Sequence, residues 1–210
     1  MANHVYFTIT VEGLEDEQFQ ENVKFETRVG TNYDGEEYKY EALLELEEQP
    51  FMSNVYKEFD EDGDLLNSYN WYCDNVGAKW CHVEECEYGY IAGYSAWRQP
   101  HELVLNILQF YANEYNTEVS ASMTYEDEFR NFMGKQYYGT VHDDDDGWRA
   151  WEGDYTETDG DQLMEQFNEL YPSINSEDEN FWYNEYEVDG EKIYPSEVMD
   201  ELADQFWESC

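Results

Sequence analysis

Apolar residues recur at every second position near the start of the chain. Val5, Phe7, Ile9 and Val11 alternate with Tyr6, Thr8 and Thr10. This predicts a strand with one apolar face, stopped at Glu12-Gly13. Residues 14–37 are polar and acidic, with weak strand character from Val23 to Val29 and a turn at Asp34-Gly35. Tyr40, Leu43, Leu44 and Glu47 follow helical spacing, which predicts a short helix over residues 37–48 closed by Pro50. Asp60-Glu61-Asp62-Gly63-Asp64 reads as an exposed acidic turn.

Residues 78–86 and 88–96 read as two strands, with Tyr88, Tyr90, Ala92, Tyr94 and Ala96 on one face and Gly89 at the connection. Pro100 suits the first turn of a helix. Leu103, Val104, Ile107, Leu108, Tyr111 and Tyr115 form its apolar stripe. Val119, Ala121, Met123 and Tyr125 alternate with polar residues and predict another strand, and a short strand follows at 136–141. After His142 come four aspartates and Gly147, a composition shift that marks an internal boundary. Beyond it, Leu163, Met164, Phe167, Leu170 and Tyr171 predict a helix stopped by Pro172. Phe181 to Val188, Asp189-Gly190 and Lys192 to Tyr194 predict a hairpin. Ser196 caps a last helix carrying Met199, Leu202 and Phe206.

The order strand, helix, strand, strand, helix, strand over residues 4–125 predicts an α+β fold of the ferredoxin-like, split βαβ kind. Its antiparallel sheet would carry helices on one face. The expected domains are a core at 1–142, with an acidic insertion at about 14–69, and an acidic helix-hairpin-helix extension at 143–210.

Composition adds the main constraint. The 210 residues are 41% hydrophobic and 18% aromatic, enough for a core despite the acid. Fifty-one acids face ten bases, a formal net charge of -41. A soluble domain needs a net charge of only about 2–8 in magnitude, and self-repulsion at -41 opposes compaction. The charge is uneven: -14 over residues 12–69, -6 over 70–142 and -21 over 143–210. Its sign argues against nucleic acid or anionic membrane as a direct partner. It favours a basic protein. Neither a basic, apolar leader nor a membrane-length apolar run is visible, so host cytoplasm is the expected compartment.

Residues 70–100 carry little acid and three of the seven tryptophans. This stretch resembles the YubB-like ferredoxin-like proteins of plasmids and bacteriophages. Those proteins have a Met-Pro-Asn-like start before a strand ending in Gly, matched by Met1-Ala2-Asn3 and Val5 to Gly13. Their Asn-Trp-Gly-Thr-Lys-Trp motif is matched by Asn75-Val76-Gly77-Ala78-Lys79-Trp80, with Val for Trp and Ala for Thr. Their Ala-Trp-x-x-Pro turn is matched by Ala96-Trp97-Arg98-Gln99-Pro100. The match covers residues 1–13 and about 70–140. It implies a ferredoxin-like core in a mobile-element setting and carries no activity.

The candidate chemistry follows from the charge. Duplex DNA bears one charge per roughly 1.7 Å, so about forty charges match some twenty base pairs. The leading expectation is a phage- or plasmid-encoded DNA-mimic inhibitor that occupies the basic DNA-binding surface of a host protein. Such a target would be a restriction or defence nuclease, a nucleoid protein or a transcription protein. A homodimer would present a longer array. The candidate contact stripe is Asp143, Asp144, Asp145, Asp146, Glu152, Asp154, Glu157, Asp159 and Asp161, interleaved by Trp148, Trp151 and Tyr155. The bland alternative for it is a flexible acidic linker. Asp60, Glu61, Asp62 and Asp64 form a second candidate surface. The competing class is an acidic accessory or structural protein adapted to high salt, although its aromatic content argues against that.

Other chemistry is weak. Neither acidic run fits an EF-hand register. Cys73, Cys81, His82 and Cys86 could supply four zinc ligands but lack paired knuckle spacing, so no metal or cofactor is expected. No phosphate-cradling glycine loop or nucleophile elbow is present, and no enzyme is expected.

Overall fold

A computed structural model describes residues 3–210. Met1 and Ala2, the start of the family-like motif, lie outside the described residues. The fold is α+β, and its strands pair mostly antiparallel. Contacts divide the chain into two compact units, residues 1–128 with 135–155, and residues 129–134 with 156–210. The composition shift at His142 is therefore not where the units part. It falls inside a hairpin.

In the first unit, β1 (His4–Glu12) forms where the alternation predicts it. Val5, Phe7, Ile9 and Val11 are buried, and the residues between them face the other way. A short helix, α1 (Asp16–Gln20), leads to β2 (Phe25–Thr31) and β3 (Glu37–Leu43), which pair only with each other. Residues 37–43 are thus a strand, not the expected helix. Asn32 Oδ1 accepts the N–H groups of Asp34 and Glu36, which closes the turn. The Tyr38 ring lies over Gly30, where a Cβ would fall 2.7 Å from it. Tyr38, Tyr40 and Ala42 share one face of the hairpin, and pairing to β2 overrides the helical spacing. Helical geometry survives only as single 3-10 turns at Leu46–Glu48 and Pro50–Met52.

The stretch at 70–100 organises the unit's core. Helix α2 (Ser68–Asn75) runs into the motif Asn75 to Trp80, then β4 (Lys79–Glu87) and β5 (Tyr90–Ala96). Tyr88 and Gly89, both at positive φ (50° and 81°), make the tight connection between them. Helix α3 (His101–Tyr115) buries Leu103, Val104, Ile107, Leu108, Tyr111 and Ala112. The motif seats this helix. Leu103 N–H donates to Val76 O at 3.1 Å, and Asn106 Nδ2 donates to Asn75 O at 2.9 Å. A Cβ on Gly77 would lie 2.9 Å from the His101 ring and 3.0 Å from Glu102 N, so only glycine fits. At the helix's other end, Tyr111 stacks on Phe19 at 5.1 Å and donates to its carbonyl at 2.8 Å, which fixes α1.

The six-stranded sheet runs β4-β5-β1-β6-β7-β8, with β6 at Ser120–Asp127, β7 at Met133–Asp143 and β8 at Gly147–Thr158. The short strand expected at 136–141 is the middle of β7. No strand was expected at 147–158, because strong acid there masks the alternation. As the last strand, β8 leaves edge groups to satisfy. The Gln109 side chain of α3 does so, donating to Trp148 O and accepting from Ala150 N.

The second unit holds α4 (Gly160–Leu170), a 3-10 turn at Phe181–Tyr183, the hairpin β9 (Tyr186–Val188) and β10 (Glu191–Ile193), and α5 (Pro195–Ser209). The expected helix, Asp189-Gly190 turn and last helix are all present. The first hairpin strand is shorter than expected, since 181–183 coils. Tyr194, not Ser196, is the N-cap residue of α5, because Pro195 takes the first helical position. Asp159 caps α4 by accepting from Gln162 N–H at 2.8 Å. Leu163, Phe167, Phe181, Met199 and Leu202 are among the ten buried residues of this core.

Candidate protein-binding surfaces

Burial sorts the carboxylates sharply. Among the 51 acids, only Asp127 is buried; it accepts a hydrogen bond from Asn3 Nδ2. The rest lie at least partly in solvent. Several of the few cations are engaged locally. Arg28 meets Glu26 at 2.6 Å and Glu45 at 3.3 Å, Arg130 meets Asp200 at 2.6 Å, and Lys192 meets Glu185 at 2.9 Å. Lys79 sits over the Trp80 ring at 3.7 Å and Lys135 over Tyr137 at 5.0 Å. The molecular surface is therefore a field of carboxylates with few counter-charges, a source of strong negative potential.

The residues of the expected contact stripe are shared between the two units. Asp143 to Asp146 are the exposed tip of the β7–β8 hairpin. The Asp143 carboxylate accepts from Asp145 N–H at 2.9 Å, and this backbone bond first of all holds its pKa below the usual range. Along β8 the strand pleat sends alternate residues to opposite faces. Trp151 packs against Gly139 on one face of the sheet. Glu152 lies toward the other face, near buried Tyr138, whose hydroxyl is pushed up by burial and then by Glu152. Trp148 shares the face of Glu152 and donates from Nε1 to Asn116 Oδ1, just past the end of α3, at 3.0 Å. Asp154 and Tyr155 are exposed on β8, and Tyr155 is the last residue of the first unit. Glu157, Asp159 and Asp161 belong to the second unit, with Asp159 occupied as a helix cap.

Asp60, Glu61, Asp62 and Asp64 do form one exposed turn. Asp60 Oδ1 accepts the N–H groups of Asp62 and Asp64, so that carboxylate organises the loop as well as charging it. The cysteine group is dispersed by the pleat. Cys81 and Cys86 are buried, and burial pushes both thiols up, that of Cys86 to about 12. His82 points to the opposite, exposed face, and Cys73 lies on α2. Among the described residues, no group of three or more His, Cys, Asp or Glu could hold a metal ion.

Two features escaped sequence reading. The sheet face away from α3 carries a ring row running from His82 through Tyr94 to His4 and Tyr6, with neighbouring centroids 5.2 to 6.4 Å apart. The aromatics on the polar side of β1 and β5 were its signal. Glu126 lies opposite Tyr6, and Glu87 opposite Tyr90. The second is a cleft of about 390 Å³ within the second unit. Phe129, Met164, Trp182 and Met199 form its apolar walls, and Arg130, Asp161 and Asp200 its charged rim. Its parts are too far apart in sequence to be read as one site.

No protein-family model, no curated protein and no solved structure matches this chain.

Proposed function

We propose that this chain is a DNA-mimic inhibitor, encoded by a phage or plasmid, that occupies the basic DNA-binding surface of a host protein in the host cytoplasm. The carrying observation is the near-complete placement of 51 carboxylates at the surface, with local acids already engaging Arg28, Arg130 and Lys192. Such a surface competes with duplex DNA through the same electrostatics, without offering a bond to cut. The ring row of His82, Tyr94, His4 and Tyr6 supplies contact area of the kind enriched at protein interfaces. No chemistry by the chain itself is part of this reading.

A ferredoxin-like core belongs to the proposal. The order β4-β5-β1-β6, with α2 entering β4 and α3 joining β5 to β6, supports a split βαβ reading. On that view β2–β3 and β7–β8 are additions, and the resemblance to YubB-like proteins concerns the core alone. The seating of α3 by Asn75 to Gly77 gives the shared motif a structural role.

The test is capture from nuclease-treated host lysate on the immobilised protein, eluted by a salt gradient. Mimicry expects one or two DNA-binding proteins that elute well above physiological salt and are displaced by added duplex DNA. Replacing Asp143 to Asp146 by lysine should weaken that capture more than any single change. A broad smear of basic proteins leaving at low salt would mean plain ion exchange. It would turn attention to the acidic accessory protein adapted to high salt.

A further inference from the structure

We infer that the cleft of the second unit is a seat for the apolar face of a basic amphipathic helix on the partner protein. The inference rests on the proposed reading that the partner is basic, and it names where that partner is gripped. Three observations combine. The cleft is lined by Met164 of α4 and Met199 of α5 together with the rings of Phe129 and Trp182. Phe129 is 69% and Trp182 48% exposed, so both present ring surface to solvent. At about 390 Å³ the cleft lies in the range of sites that take a ligand or a few inserted side chains.

The rim selects the charge. Arg130 already meets Asp200 at 2.6 Å, so its charge is offset, and Asp161 remains beside it. The two helices that line the cleft carry further acids, Glu165 on α4 and Glu197, Glu201 and Asp204 on α5. The whole unit sets 17 acids against 2 bases. A phosphate- or carboxylate-bearing ligand is repelled by this field, and so is a second copy of the unit. A helix with Leu or Ile on one face and Lys or Arg on its flanks satisfies both the floor and the rim. This is the helix-in-groove mode of recognition. It would give the inhibitor two modes of grip, one screened by salt and one not.

The experiment uses the full chain, labelled with ¹³C at the methionine methyls. The six methionines include Met164 and Met199 in the cleft, and Met52 and Met123, fully buried in the first unit, serve as internal controls. The probe is a synthetic Leu/Lys amphipathic helix, paired with a Ser/Lys peptide of equal charge. The expected result is that the Leu/Lys peptide shifts the Met164 and Met199 signals and leaves Met52 and Met123 in place. The Ser/Lys peptide should leave all four in place. The double variant F129A/W182A should bind the Leu/Lys peptide roughly tenfold more weakly or worse, as for removal of interface anchors. Equal responses to the two peptides, or no response at Met164 and Met199, would overturn the inference without any variant. A target displaced by duplex DNA that binds F129A/W182A as tightly as the wild type would overturn the cleft and leave mimicry standing. A seated peptide, with no captured protein displaced by DNA, would support the cleft and sink mimicry.

Discussion

The first unit holds a 15-residue helix and most of a six-stranded sheet. In the second, two helices and a hairpin of three-residue strands close on ten buried residues. The first unit sets 34 acids against 8 bases over 149 residues; the second sets 17 against 2 over 61. The second thus carries about one excess charge for every four residues, the first about one for every six. A chain of roughly 60 residues buries only about 60% of its unfolded surface. The smaller core therefore opposes the denser charge. Such a surface is tolerated only where apolar packing exceeds self-repulsion, and the margin is narrowest in the second unit.

The largest effect should come from its core. Phe167 is fully buried and meets Phe181 edge-on at 5.1 Å. Phe167→Ala should cost about 3–5 kcal/mol. Hydrogen exchange should then show protection lost over residues 156–210 while β1 and α3 keep theirs. Equal loss in both units would break the comparison. Salt comes next. Raising NaCl from dilute buffer to about 1 M shortens the Debye length to roughly 3 Å. Exchange protection should rise more in the second unit than in the first, and an equal rise would mean that charge density does not distinguish them.

Asp159→Ala removes the side-chain acceptor at the N-terminus of α4. It should cost about 1 kcal/mol in a urea titration. No loss would show that the last unit does not depend on its helix end. The smallest effect concerns Glu185, whose pKa is held down by the Tyr194 hydroxyl first and by Lys192 second. A depressed carboxylate contributes stability above its unfolded pKa and loses it as pH falls through the folded value. Tyr194→Phe should raise the Glu185 pKa toward the ordinary carboxylate range, read by carboxyl ¹³C shifts. An unchanged titration would mean that this exposed contact is not populated in solution.

Local periodicity by itself determined β1, α3, the connection at Gly89, α4 and the Asp189-Gly190 turn, while Tyr88, read as strand, joins the turn. In each, the apolar spacing or the turn residues admit one backbone conformation. It also determined that the surface is a carboxylate field, since 51 acids cannot be buried. Tertiary structure decided the rest. Residues 37–43 have spacing compatible with helix or strand, and the partner strand β2 chose between them. Residues 147–158 show too little apolar alternation to read as a strand, and β8 forms on the neighbouring strand β7, with Gln109 satisfying its edge. The candidate stripe looks continuous in one dimension because composition ignores the pleat, which sends Trp151 and Glu152 to opposite faces. The cleft draws on Phe129, Met164, Trp182 and Met199. Residues so far apart in sequence become neighbours only when α4 and α5 pack, because burying their apolar faces together fixes what the chain order leaves open.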